Sequence, residues 1–207
     1  MRTLVIDTVT KACSVALYDR HAVMASRHEV IGRGHAERLL PLIAALPERG
    51  RADQIMVDVG PGSFTGIRVG VAAARALGLA WDVPVSGYGC LTLVAAMAHA
   101  QQSPPVSVDV VMAGGHGEYF FQSFDSEGTA LSKAVSLSPQ VVAERSRGVI
   151  LAGDAGTDLS AIFGDRDIIE ILPEAACWHL LADVPPLAAS PVYGRVPDAK
   201  LPEGKAV

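Results

Sequence analysis

An α/β fold is predicted by three features of this 207-residue chain. Short apolar runs end at Gly, Pro or Asp, as strands do. Between several of them lie longer stretches whose apolar residues recur at helical spacing. Half of the residues are apolar while only 5% are aromatic, a composition with ample aliphatic material for a core. The length accommodates one large domain or two small ones.

The elements follow in order. Thr3–Asp7 is an apolar strand closing on an acid, Thr8–Lys11 a turn, and Cys13–Tyr18 the returning strand. A second turn at Asp19-Arg20 leads to a third strand, Ala22–Val30, so the chain opens with an antiparallel meander. Gly32 and Gly34 release it into a helix from His35 to Leu46, with Leu39, Leu40 and Ile43 on one side and Pro41 inside. That proline costs a hydrogen bond or kinks the helix, and is best tolerated near its first turn. Ile55–Val59 is a fourth strand, broken by Gly60, Pro61 and Gly62. Ser63 or Thr65 is suited to cap the helix that follows, which runs to Trp81.

That helix carries the most distinctive pattern in the chain. Gly66, Gly70, Ala74 and Gly78 fall four apart and form a ridge of very small residues, beside Ile67 and Val71. Glycine inside a helix costs about 1 kcal/mol against alanine, so the ridge calls for a compensating close contact. Two readings stand: a phosphate cradle at Gly62, Ser63 and Thr65, or a docking surface along the ridge.

Val83–Tyr88 is a fifth strand and Leu91–Ala100 a further apolar helix. The polar run Gln101–Pro105 marks a boundary. Beyond it Val106–Met112 and Glu118–Phe124 form a hairpin, with another strand near Ala130–Leu137. A helix from Ser138 to Arg145 follows, then a strand at Val149–Ala152 and a turn at Gly153–Gly156. A last strand, Ile168–Leu172, and a helix, Pro173–Leu181, precede a proline-rich extended tail. The expected division is residues 1–102, 103–184 and the tail 185–207. Both halves open with hairpins and close with strand–helix alternation, so a structural duplication is expected without a visible repeat.

The net charge of −5 and the lack of long basic runs oppose direct clamping of nucleic acid. Cys13, Cys90 and Cys177 are widely spaced with no CxxC, and read as reduced thiols. The N-terminus MRTLVIDT lacks a signal-peptide pattern, and the most apolar helix is too short and too charged for a membrane. A cytoplasmic location is expected.

VIDTVTKACSVAL, HAERLLPLI, GPGSFTGIRVG and the tail PVYGRVPDAK resemble the TsaB (YeaZ) family. These proteins are relatives of the transferase TsaD and of glycoprotease-like, peptidase M22-like domains. The resemblance covers the first half of the chain well and returns in the tail. It implies an actin/Hsp70-like (ASKHA) fold, with two related lobes each built on a mixed sheet flanked by helices. It also implies a non-catalytic partner of TsaD in threonylcarbamoylation of adenosine 37 in tRNA, with a TsaE-like ATPase joining the assembly. A homodimer using the same surface is implied as well, and tRNA is met only through the complex. No cofactor is expected on this chain, with ATP or ADP and a metal carried by the partner proteins.

The chemistry of the fold's enzymes is weakly supported by the residues. Asp7 stands where actin-like ATPases keep the acid of their first phosphate hairpin. The residues after it, Thr8, Val9, Thr10 and Lys11, lack the glycine that close phosphate approach requires. A strand-end acid accepting turn amides is favoured for Asp7, with Lys11 available as a point charge. The matching second hairpin has Ala113, Gly114 and Gly115 where relatives usually have Asp-Ala-Arg. Gly114, Gly115 and Gly117 can hold an anion through their amides, although a hairpin turn is the commoner meaning. The positions equivalent to the TsaD metal pair are Cys90 and Val94, which make no such site. The six histidines show neither HxxxH nor HExxH spacing, and His35 with Glu37 reads as a helix-start polar pair. No catalytic residue is assigned, and no Ser–His pair assembles for protease chemistry. Partner contact is expected at His35, Arg38, Leu39, Ile43, Gly66, Ile67, Gly70, Val71, Ala74 and Gly78. Arg68 and Arg75 share a face beside the ridge. In the tail Tyr193, Arg195, Asp198 and Lys200 are placed either against a partner or back over the first lobe. The alternatives in function are an actin-like ATPase or phosphotransferase, and a metallopeptidase.

Overall fold

Asp7 ends the first strand of a six-stranded mixed sheet, and the chain then weaves that sheet before building a second. The computed structural model describes residues 1–163 and 166–194. Strands β1 (Arg2–Asp7), β2 (Ala12–Asp19) and β3 (Ala22–Val30) form the expected antiparallel meander. Helix α1 (His35–Ala44) leads to β4 (Gln54–Asp58), which lies parallel to β1. Helix α2 (Phe64–Trp81) then crosses to β5 (Val85–Tyr88), parallel to β4. After α3 (Cys90–His99) the second sheet begins with the hairpin of β6 (Val108–Gly115) and β7 (Glu118–Phe124). It is completed by β8 (Val135–Leu137), α4 (Pro139–Arg145), β9 (Ile150–Gly153), α5 (Gly156–Phe163) and β10 (Asp167–Glu170). The second sheet runs β10-β9-β6-β7-β8. Pro41 sits in the second turn of α1, on its exposed side, and its carbonyl still accepts from the Ala45 amide.

Both faces of the first sheet are covered, which explains why β1 and β2 read as nearly continuous apolar runs rather than alternating ones. On one face Leu4, Ile6, Val15 and Leu17 pack under Leu39, Leu42 and Ile43 of α1 and Ile67, Val71 and Ala74 of α2. On the other face Val5, Ala16, Tyr18 and Met56 meet Leu93 of α3, with Ala175 and Leu181. Helix α3 is buried on several sides: Leu91, Val94, Ala95 and Ala98 belong to a core with β6 and β7 of the second sheet. The outer face of that sheet is closed by Val142 of α4 and Leu159 of α5, which meet Val111, Phe121 and Leu151. α3 is thus the element packed against both sheets.

Three features differ from the sequence expectations. Helix α5 was not anticipated, because only about two turns separate the glycine-rich turn from β10. The segment expected as a helix over Pro173–Leu181 is a 3-10 helix, Ala175–Leu181, and it packs on the first sheet rather than the second. There the Tyr18 hydroxyl donates to the Ala175 carbonyl at 3.0 Å, and the Ala175 amide donates to Ser14 Oγ at 2.9 Å. The tail also joins the first sheet: β11 (Leu187–Ala188) pairs antiparallel with β5, and the Val192 amide donates to the Val59 carbonyl at 2.8 Å. Arg195, Asp198 and Lys200 lie outside the described residues.

Tyr18→Phe leaves the buried Ala175 carbonyl without its donor. It is expected to cost about 1–3 kcal/mol in urea unfolding at constant m-value.

Candidate functional site

The β1–β2 turn and the start of α2 are built against each other. Ser63 caps α2 by accepting from the Gly66 amide at 3.2 Å, while its own amide donates to the Val9 carbonyl at 2.7 Å. The Thr8 hydroxyl donates to the Gly66 carbonyl at 2.8 Å. A Cβ added at Gly62 would collide with the Val9 carbonyl, at Gly66 with the Thr8 carbonyl, and at Gly70 with the Thr8 hydroxyl. At Gly78 it would meet the Val85 side chain. The ridge is therefore the inner face of α2, and its small residues let the helix lie directly on the first turn and on the sheet.

This arrangement corrects the expected docking surface. His35, Leu39, Ile43, Gly66, Ile67, Gly70, Val71, Ala74 and Gly78 are buried inside the chain and present no surface to another molecule. The periodicity was right about a close helix contact, but the approaching backbone is the chain's own β1–β2 turn. His35 has a definite internal role: its Nε2 lies 3.1 Å from the Ala12 carbonyl. A carbonyl only accepts, so Nε2 carries the proton and ties α1 to β2. Arg38 alone of that set is exposed, and both arms of its guanidinium are held by the Glu29 carboxylate on β3. This pairing keeps the Glu29 carboxyl below its ordinary range.

At the anion cradle the geometry follows the favoured reading of Asp7 as a strand-end acid. Asp7 is fully buried and faces no opening. One oxygen accepts from the Val9 amide at 3.3 Å, as expected for a strand-end acid, and the other lies 3.3 Å from the Tyr88 hydroxyl. Burial pushes its carboxyl up to about 7. The Ser63 and Gly66 amides, which an anion would need, are committed within the chain, leaving Gly62 half-buried and Ser63, Thr65 and Lys11 at the surface. On the second hairpin the Ala113 amide donates to Asp154 Oδ1 at 2.8 Å. A pocket of about 310 Å³ beside these turns is lined by Lys11, His28, Asp154, Glu170, Ile171, Leu172 and Glu174. Burial raises the Asp154 carboxyl, against the pull of the Ala113 amide and Lys11. Three carboxyl groups facing one lysine make poor lining for a polyphosphate.

Metal chemistry finds no donors in the expected place. Cys90 and Val94 are both buried in α3, and burial pushes the Cys90 thiol well up. Among the described residues no group of three or more His, Cys, Asp or Glu is placed to hold a metal ion. Among them, too, no helix is long and apolar enough to cross a membrane.

The outward face of the helix pair carries what the sequence reading missed. Phe64, Arg68, Ala72, Arg75, Ala76 and Leu79 are exposed at helical spacing along α2. Leu79 is 87% exposed and Phe64 54%, and Leu40 on α1 is 53% exposed. The tail borders this face. The Arg68 guanidinium lies 3.6 Å over the Phe64 ring, its Nε donates to the Tyr193 hydroxyl at 3.1 Å, and Phe64 and Tyr193 stack at 5.1 Å. Arg75 donates to Ser190 Oγ at 3.1 Å. The sequence signal was present, since Phe64, Arg68, Ala72, Arg75 and Leu79 form their own stripe.

Residues 24–149 match the family model described as tRNA N6-adenosine threonylcarbamoyltransferase, TsaD. The chain is similar to the tRNA threonylcarbamoyladenosine biosynthesis protein TsaB of Escherichia coli strain K12, at 31% identity over 155 residues. That alignment covers 70% of this chain and 66% of the E. coli protein. Among solved structures, YeaZ from Pseudomonas aeruginosa superimposes with a TM-score of 0.77 at 28% identity, covering 93% of this chain and 99% of that one. The ethanolamine utilization protein EutJ from Carboxydothermus hydrogenoformans shares the fold at a TM-score of 0.50 and 10% identity, over 87% and 88% of the two chains.

Gly66→Ala forces the Thr8 carbonyl away from α2 and is expected to cost about 1–3 kcal/mol in urea unfolding. Ala72→Ser, on the exposed face, should stay within about 0.5 kcal/mol of the parent.

Proposed function

Because the chain belongs to the TsaB/YeaZ family of TsaD-related proteins and has their actin/Hsp70-like fold, we propose that it is a non-catalytic partner of a TsaD-like transferase. The reaction it serves is threonylcarbamoylation of adenosine 37 in tRNA. The observation that carries this reading is the uncovered apolar face of α1 and α2, with Leu40, Phe64 and Leu79 open to solvent. Exposed apolar groups of this size on one helix pair are what a protein partner buries. The filled turn at Thr8–Lys11 and the acid-rich pocket support assigning nucleotide and metal to the partner proteins rather than to this chain.

Binding on this face would act by population. A partner that fits only the competent conformation of the transferase raises that conformation's share without taking part in chemistry. A second copy of this chain competes for the same face, so homodimer and heterodimer are alternatives. A TsaE-like ATPase and tRNA join through the complex. The docking residues on this reading are Leu40, Phe64, Ala72, Ala76 and Leu79, with Arg68 and Arg75 between them, in place of the buried ridge.

Leu40→Glu combined with Leu79→Glu puts two charges on the face without touching the core. Co-purification with the TsaD-like protein of the same organism should weaken by about tenfold or more, with the circular dichroism spectrum unchanged. An unaltered complex would remove the face from the interface. Calorimetric titration of the isolated chain with ATP and Mg²⁺ is expected to show no micromolar binding. Such binding would favour the actin-like ATPase reading instead.

A further inference from the structure

The ends of β1 and β4 place two acids side by side in the interior. The parallel register pairs Ile6 with Val57, so Asp7 and Asp58 occupy the next row. Both point to the face that holds Val5 and Met56, toward α3 and away from α1 and α2. Both are completely buried. Among the described residues neither forms an ion pair.

The donors around the pair are unequally shared. Asp7 Oδ1 accepts from the Val9 amide, and its Oδ2 lies 3.3 Å from the Tyr88 hydroxyl, whose single proton also has the Ile6 carbonyl as an acceptor at 3.2 Å. Asp58 Oδ1 accepts from the Gly60 amide at 2.7 Å. Asp58 Oδ2 is buried with no hydrogen-bond partner. An ionised carboxylate can only accept, and an oxygen left bare in the interior is costly. A carboxyl proton on that oxygen turns it into a donor.

The groups facing the pair are all neutral or acidic. β5 contributes Tyr88, α3 contributes Cys90, and β2 contributes Ser14 opposite Asp7. Burial raises Tyr88 and Cys90 above their ordinary values, and Cys13 of β2, behind the sheet on the α1 side, is raised as well. Asp154, beyond Cys90, adds further negative charge to the neighbourhood. Among the described residues, the groups acting on Asp7 and Asp58 include no lysine, arginine or histidine. No cation among the described residues is paired with either acid, and a proton supplies the positive charge.

We propose that Asp7 and Asp58 share a single proton at neutral pH, and that this proton is the clasp holding the Val59–Gly62 loop to the first sheet. Asp58 is the acid and donates its O–H to the Asp7 carboxylate, while its other oxygen anchors the loop through the Gly60 amide. The same loop accepts at the Gly60 carbonyl from the Cys90 amide and at the Val59 carbonyl from the Val192 amide. The clasp therefore sits where β1, β4, α3 and the tail meet. Removing the proton to bulk water leaves two adjacent buried carboxylates with no counter-charge between them, and the strain falls on the corner that Asp58 anchors through the Gly60 amide.

The sign follows from proton counting. Both carboxyls are raised in the folded chain, chiefly by burial, from an ordinary value of 3.8. Above that value the native state therefore holds more protons than the unfolded chain. Stability contributed by the clasp is full below the ordinary value and is lost as pH rises. Each extra proton makes the unfolding constant rise about tenfold per pH unit.

The test uses the isolated full chain, so it stands apart from the docking reading. Asp58→Asn supplies an amide donor to Asp7 without a titrating proton. Urea unfolding of the parent between pH 5 and 7 should show the unfolding constant rising with pH, and the slope in Asp58→Asn should be shallower by about tenfold per pH unit or more. Infrared spectra of the parent at pH 7 in D₂O should show the carbonyl stretch of a protonated carboxylic acid, weaker in Asp58→Asn, which keeps only one carboxyl of the pair. A parent spectrum at pH 7 without that band overturns the proposal even if the variant fails to fold. An identical pH slope in parent and variant overturns it equally.

Discussion

The contact on which the structure depends is the seating of α2 directly on the β1–β2 turn. Three positions make it possible: at Gly62, Gly66 and Gly70 a Cβ would strike Thr8 or Val9 of that turn. With the side chains gone, backbone meets backbone, and Thr8 and Ser63 satisfy the polar groups left at the contact. The cost of glycine in a helix is offset by the aliphatic core that this closeness allows, since Ile67, Val71 and Ala74 are drawn fully into it. Everything else about the first lobe follows. The turn that would cradle a phosphate is occupied by the chain's own helix, and the helix's other face is turned to solvent.

Helix α3 plays the complementary role between the sheets. It starts beside the Asp58–Gly60 corner and sends Leu93 into one core and Leu91, Val94, Ala95 and Ala98 into the other. A helix clothed on several sides has no polar stripe, which is why its sequence is apolar almost all round. Cys90 is part of that packing. The 3-10 helix Ala175–Leu181 and the tail return to the first sheet and fasten it from the far end of the chain, through Ser14, Tyr18, Val59 and β5.

Much of this was legible in advance. The meander, α1, α2, the β6–β7 hairpin and the corner at Gly60 follow from periodicity and punctuation, and the family resemblance rests on GPGSFTGIRVG. Helix α5 was missed because a two-turn helix gives too short a window for period 3.6 to register. The 3-10 helix was misjudged for a related reason, since its type depends on how Ala175 docks under Tyr18. Asp58 has no distinguishing sequence pattern. It ends an ordinary strand pattern, and only the parallel register with β1 brings it beside Asp7, 51 residues earlier in the chain.

The sequence by itself determined that α2 must be approached closely, because glycine and alanine at four-residue spacing admit no other economical use. It also determined that the usual glycine beside Asp7 and the usual metal pair in α3 are missing, since those are statements about residue identity. Only the tertiary structure decided which neighbour takes the ridge and which face of α2 is left uncovered. A stripe of small residues specifies a distance of approach and carries no label for the surface that approaches. That label comes from the sheet's register and the core's volume, which are properties of the whole fold.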